Sequence, residues 1–186
     1  MMATTHVFTG LALIAPVAYV VPELTLPLAV GALLGGLAPD LDVLFEHRRT
    51  LHFPVSGGPF AVLASSVAIL TPSSFTVFLA AFAVTAWVHA ASDALGGGPE
   101  MDPWNERSDR AVYDHVRGIW IRPRRWIRYD GAPEDGVIAV ALAVPALVVF
   151  DGYRWLTAVI VGGIAVSVAY TLVRRRIPEW TPEWLE

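Results

Sequence analysis

The chain has 186 residues, of which 55% are hydrophobic and only 16% charged, with a mean hydropathy of +0.53. Soluble domains are about 25% charged, so this composition excludes a disordered chain and a nucleic-acid module coated in basic residues. The 13 basic residues are all arginine, 17 acids bring the net charge to −4, and there is no cysteine, which excludes a disulfide framework, a thiolate zinc site and a thiol nucleophile.

Met1 to Thr5 carry no charged side chain, so no cleaved signal peptide is expected. Val7–Val21 is almost wholly apolar, and Leu24–Ala38 repeats it after Pro22-Glu23. Phe60–Leu70 follows, then the turn Thr71-Pro72-Ser73-Ser74, then the long run Phe75–Leu95. Val137–Phe150 and Tyr153–Val173 flank Asp151-Gly152. These blocks predict an all-α, multi-pass membrane bundle of six helices in three hairpins, forming one integral domain over residues 1–186. Within it, residues 1–95 carry two hairpins, 96–136 a polar loop, 137–173 the third hairpin and 174–186 a short tail. Gly31, Gly35, Gly162 and Gly163 suit close packing of membrane helices.

Length is the difficulty, because a spanning helix needs about 20 apolar residues. Phe75–Leu95 and Tyr153–Val173 reach that, whereas the other four runs are short enough for the core of a soluble bundle. A soluble bundle should show a polar stripe on each helix, and these runs show none, which favours the membrane.

Arginine placement gives a sidedness. Three inserted hairpins leave one face with only the tight turns and Arg154. The other face receives Arg48, Arg49, Arg107, Arg110, Arg117, Arg122, Arg124, Arg125, Arg128, Arg174, Arg175 and Arg176. The positive-inside rule puts that face in the cytoplasm, at the plasma membrane. The loop 96–136 is long enough for a small subdomain, and its stretch Trp120–Tyr129 alternates aromatic and basic residues. That pattern suits lipid headgroups and also single-stranded nucleic acid; beside so apolar a chain the lipid reading is favoured, and no specific nucleic-acid partner is expected.

Five histidines are present. His6 sits at the mouth of the first helix, Asp40 and Asp42 at the exit of the second, His47 and His52 in the loop before the third, and His89 and Asp93 near the exit of the fourth. Up-down hairpins bring all seven to one face. Imidazole and carboxylate suit zinc and similar divalent ions, and His89-x-x-x-Asp93 puts two such groups one helical turn apart. Each piece also has a plainer reading: a helix stop and cap for Asp40 and Asp42, a solvated basic loop around His47 and His52, a loose cap for His6. Asp114-His115 reads as surface.

Thr5-His6, Gly36-Leu37-Ala38-Pro39-Asp40-Leu41-Asp42, His47-Arg48-Arg49-Thr50-Leu51-His52 and His89-Ala90-Ala91-Ser92-Asp93 together resemble the YdjM-like, LexA-regulated membrane-bound metal-dependent hydrolases. The match spans residues 5–95. That family is similar in motif order to zinc-dependent phospholipases C and single-strand nucleases. The resemblance implies that His6, Asp40, His52, His89 and Asp93 are metal ligands, with Asp42 and His47 near the site. The phospholipase type has a further His-x-x-x-Glu pair that is missing here, with His115 and Glu100 or Glu106 the nearest substitutes, so one or two ions are expected, zinc or manganese.

Such an ion, with an open position, lowers the pKa of bound water toward about 7 and prepares it to attack a phosphoryl or carbonyl centre. Asp40 would orient the water or bridge a second ion, and Arg48 and Arg49 would grip phosphate oxygens. Membrane lipid is the expected partner, and a phosphodiester in a lipid headgroup is the simplest substrate. The alternative is a non-catalytic membrane protein whose His/Asp cluster binds a metal ion or proton. A conduit would carry ionisable groups through the midplane, and here the helix centres are apolar.

Overall fold

The computed structural model describes residues 1–181; the last five residues of the expected tail, 182–186, lie outside it. Helix α1 is Ala3–Val20. A single 3-10 turn at Pro22–Leu24 leads to α2, Thr25–Leu37, and a second 3-10 segment follows at Pro39–Leu44. Helices α3, Gly57–Leu70, and α4, Ser74–Ser92, form the next pair, and α4 runs on into a 3-10 turn at Asp93–Leu95. Ser73 and Thr76 make a reciprocal capping box at the start of α4, with Thr76 N–H on Ser73 Oγ at 3.1 Å and Ser73 N–H on Thr76 Oγ1 at 3.0 Å. Strands β1, Val112–Asp114, and β2, Ile119–Ile121, pair antiparallel with Val112 opposite Ile121. Helices α5, Pro133–Val149, and α6, Arg154–Val173, close the bundle, followed by the turn Arg174–Arg176 and the one-turn helix α7, Ile177–Trp180.

The all-α architecture with six main helices is therefore observed, and each consecutive pair, α1–α2, α3–α4 and α5–α6, is in contact. Helix α1 is the hub, touching α2, α4, α5 and α6. Its Phe8, Leu11 and Ile14 meet Phe150, Leu156 and Ile160 in the core. Gly31 lets α2 lie directly on α4, because a Cβ there would stand 2.9 Å from that of Ala81.

Among the described residues, four stretches are long and apolar enough to cross a membrane: Ala3–Val20, Pro22–Leu44, Ser74–Leu95 and Arg154–Trp180. The first two exceed their sequence-read lengths because α1 starts at Ala3 and because 3-10 turns extend α2 at both ends. Helix α3 has 14 residues and α5 has 17, giving lengths of about 21 and 26 Å against an apolar layer of about 30 Å. Leu63, Ile69, Leu70 and Leu172 face outward while histidine and aspartate are buried. That inversion of the soluble pattern fits a chain solvated by lipid.

The loop 96–136 lies on one end of the bundle. Tyr113 N–H donates to the Arg48 carbonyl at 3.0 Å, and Arg124 N–H to that of Ala94 at 2.8 Å. Arg174 locks it from the other side, with Nε and a terminal nitrogen on the Asp130 carboxylate, each at 3.0 Å.

Candidate metal centre

The end covered by that loop holds the histidines. Pro39 closes α2 and starts a 3-10 segment with three residues per turn, so Asp40 and Asp42 project about 120° apart. Asp42 is fully buried and organises the loop after it. Its Oδ1 accepts from His47 Nδ1 at 2.9 Å and Arg48 N–H at 3.3 Å. Its Oδ2 accepts from His52 Nδ1 at 2.8 Å and from the N–H groups of Arg49 and Leu51, both at 3.2 Å. Three backbone donors converge because Arg48 takes a left-handed conformation, φ 60°. For a non-glycine residue that costs about 1–2 kcal/mol, which the carboxylate contacts offset.

The imidazoles are oriented by what their Nδ1 atoms do. A carboxylate or carbonyl oxygen can only accept, so His52 donates from Nδ1 to Asp42, and His89 donates from Nδ1 to the Gly36 carbonyl at 2.8 Å. In the neutral rings both Nε2 atoms are therefore free of hydrogen and able to bind a metal. They are buried and have no hydrogen-bond partner among the described residues. His52 Nε2 stands 3.2 Å from Asp93 Oδ2 and 3.9 Å from Asp40 Oδ1, and His89 Nε2 stands 3.3 Å from Asp40 Oδ1 and 3.7 Å from Asp93 Oδ2. Ligands about 2.0–2.1 Å from a tetrahedral zinc are separated by about 3.3 Å, so these spacings fit a shared ion.

His6 adds a third imidazole. Its ring stacks on His89 with centroids 3.7 Å apart and planes 11° from parallel, and its Nε2 is 3.2 Å from Asp93 Oδ1. The Ser92 hydroxyl donates to the His89 carbonyl at 3.0 Å, which leaves its oxygen to accept from His6 Nδ1 at 3.2 Å. Two overlapping groups result, His6–His89–Asp93 and Asp40–His52–His89, each with ligand atoms within 4.8 Å of one another. A buried His/Asp group able to hold a metal ion is thus present, and the two sets share His89, whose one free nitrogen can bind a single ion. Burial opposes protonation of His52, but the carboxylates of Asp93 and Asp42 outweigh it and hold its pKa above the ordinary value without an ion.

Asp42 and His47 do not join these groups. Both oxygens of Asp42 are taken by the loop, and His47 rests on Asp42 from the solvent side. They form the layer that fixes His52. The adjacent arginines part company. Arg48 is buried, donating to the Gly97 carbonyl at 2.7 Å, with Nε 3.8 Å from Asp93 Oδ2. Arg49 turns away, bonded to Glu46 at 2.6 Å and lying over the Tyr113 ring at 4.4 Å. His115 is exposed and donates to the Arg49 carbonyl. A cavity of about 470 Å³ opens beside Asp40, His47 and Arg48.

The sequence assigned no role to three further contributors. Gly36 offers the carbonyl that orients His89, and a Cβ there would stand 2.7 Å from Val7 Cα. Ser92 orients His6. Asp135, at the start of α5, accepts from Met2 N–H at 2.8 Å, Thr5 Oγ1 at 2.7 Å and Gly131 N–H at 3.0 Å, and so fixes the start of α1 beside His6. The Met2 and Thr5 contacts with Asp135 span 133 and 130 residues of chain, which no local pattern reports.

No protein-family model, curated protein or solved structure matches this chain.

Proposed function

We propose that this protein is a membrane-bound, metal-dependent hydrolase that acts on a phosphodiester. One observation carries the reading: the bare, buried Nε2 atoms of His52 and His89 face the carboxylates of Asp40 and Asp93 at the spacing of ligands around one ion. The order of these residues along the chain is that of the YdjM-like hydrolases. His/Asp donor sets suit zinc, with manganese second. When bound, the divalent ion supplies Lewis acidity and a water that loses its proton near neutral pH.

The chain supplies the rest. Asp40 is the most open member, at 28% side-chain exposure, and meets the cavity where a water would be oriented. Arg48 lines the same cavity and would offer its positive charge to a phosphoryl oxygen there. Arg49 is not among the residues lining it, so the proposed mechanism gives it no part. The twelve-to-one arginine split supports a cytoplasmic site. The competing reading, a proton or metal conduit, is disfavoured because no acid, arginine or histidine occupies the middle of α1, α2, α4 or α6.

The test is elemental analysis of purified protein, followed by hydrolysis of chromogenic and lipid phosphodiesters with and without chelator. The expected result is at least one zinc or manganese per chain and hydrolysis that chelation abolishes, both lost in His89→Ala/Asp93→Ala. Full metal content in that double variant would refute the site. A metal-loaded protein that leaves every phosphodiester intact would refute the hydrolase.

A further inference from the structure

The cavity beside Asp40 has a composition that the chemistry above leaves unexplained. Its polar lining comprises Asp40, His47 and Arg48 beside the cluster, with the carboxylates of Glu100 and Asp130 (the latter paired with Arg174) from the covering loop. Its outer wall is helix α6 and the turn after it, contributing Val166, Tyr170, Arg174 and Ile177, and Val43 faces them from the 3-10 segment that carries Asp40. Val166, Tyr170 and Arg174 are four residues apart and form one stripe along the helix. Val166 lies seven residues before the end of α6, about 10 Å down its axis. The stripe passes from apolar to phenolic to cationic, the order of a bilayer leaflet from chain to headgroup.

The Val166 end of that wall is exposed, whereas Arg174 at its other end is buried. The stretch Arg154–Trp180 contains the most apolar window of the four candidate spans, and only 17% of that window is buried. Val43 and Val166 are exposed, as are Leu44 and Phe45 beside Val43. Arg174 is saturated by Asp130 and the Met101 carbonyl, so it is not the anion site. Arg48 commits one terminal nitrogen to the Gly97 carbonyl, and its other terminal nitrogen, with no hydrogen bond among the described residues, is left for an anion at the end where the cluster lies. The smaller cavity of about 320 Å³, between Phe53, Phe60 and Trp87, contains none of the His/Asp ligands.

We infer that the cavity is a lateral portal for a phospholipid, with the phosphate at Asp40 and Arg48 and an acyl chain leaving into the bilayer between Val43 and Val166. The polar end of this inference rests on the metal-dependent reading; the portal does not require turnover.

The chain has no cysteine, so single-cysteine variants label cleanly. Val166→Cys and Val43→Cys would each carry a small fluorophore, with Val161→Cys, exposed on α6 away from the cavity, as control. Full-length zinc-loaded protein in detergent is titrated with phosphatidylglycerol bearing brominated chains, with a maltoside bearing the same chains, and with glycerol phosphate as competitor. The expected result is saturable quenching at positions 166 and 43 by the phospholipid, at about tenfold lower concentration than by the maltoside. Position 161 should be quenched alike by both amphiphiles, without saturation. Glycerol phosphate should compete at least about tenfold more weakly than the lipid.

Equal quenching by both amphiphiles, or competition by glycerol phosphate at the lipid's own concentration, would overturn the portal. Variants count only at parental metal content, and Ile177→Cys, on the same wall, replaces Val166→Cys if that check fails. Saturable lipid quenching in a protein without hydrolytic activity would sink the hydrolase and keep the portal. Hydrolysis of soluble esters without saturable quenching would do the reverse.

Discussion

Asp42 touches no ion in the proposed site, yet its removal should weaken metal binding by one to two orders of magnitude. Its carboxylate receives five donors, two on Oδ1 and three on Oδ2. Asp42→Ala frees the His52 ring to rotate and removes the acceptor that fixes its tautomer. Carboxylates in this position are worth about 10–100-fold in affinity, or about 1.4–2.7 kcal/mol. Water can reach His47 and Arg49, but His52 and Arg48 are buried, so their stranded donors cost about 1–3 kcal/mol each in stability. Asp42→Asn should fall between. Its one carbonyl oxygen does best at the Oδ2 position, keeping His52, Arg49 and Leu51 while opposing His47 and Arg48. An affinity loss near tenfold is therefore expected for asparagine and near a hundredfold for alanine, each about, not beyond, that range. Competition against a chromogenic zinc chelator measures the affinity, and thermal unfolding in detergent reports the fold. A folded Asp42→Ala protein that binds zinc within about twofold of the parent would refute the assignment of Asp42 as the orienting group.

The two neighbouring arginines should separate cleanly: Arg48→Ala lowers turnover at unchanged metal content, whereas Arg49→Ala leaves turnover within about twofold, measured on a chromogenic phosphodiester. In chelator-treated protein, the raised pKa of His52 contributes stability that is fully present below its unfolded value of 6.5 and is lost as pH rises through the higher folded value. The Tm without metal should therefore fall over that window, His52→Gln should flatten the fall, and zinc should reverse the trend because it needs the neutral ring. A cysteine at Ser73 should react with an impermeant thiol reagent outside intact cells, and one at Ser108 only after lysis; the opposite pattern would move the site to the other face.

The six main helices were legible because their apolar runs are bounded by Pro22-Glu23, Thr71–Ser74 and Asp151-Gly152, and each of the six overlaps its run, whereas the one-turn α7 falls in the expected tail. The start of α1 was not legible. Thr4, Thr5 and His6 are polar and read as an approach to the helix, but Thr5 is buried against Asp135, and a partner 130 residues away leaves no mark on local periodicity. The closeness of His89 and Asp93 was legible from i,i+4 spacing. The division between Asp40 and Asp42 was not, since it follows from a 3-10 segment where each residue advances about 120°. Nor was the parting of Arg48 and Arg49, which depends on a left-handed arginine that no residue type announces.

All the proposed ligands, His6 through Asp93, belong to the first half of the chain, whereas Asp135 belongs to the second. During synthesis, helices α1 to α4 can gather the complete donor set while α5 and α6 are still unmade. An ion captured then would staple α1 to α4 through His6 and His89 before α5 and α6 can pack on the free side of α1. The later arrival of Asp135 would then fasten an already ligated helix. On this order of events, scarcity of metal would act on nascent chains before it acts on mature protein, and its mark would be poor accumulation of the protein in the membrane.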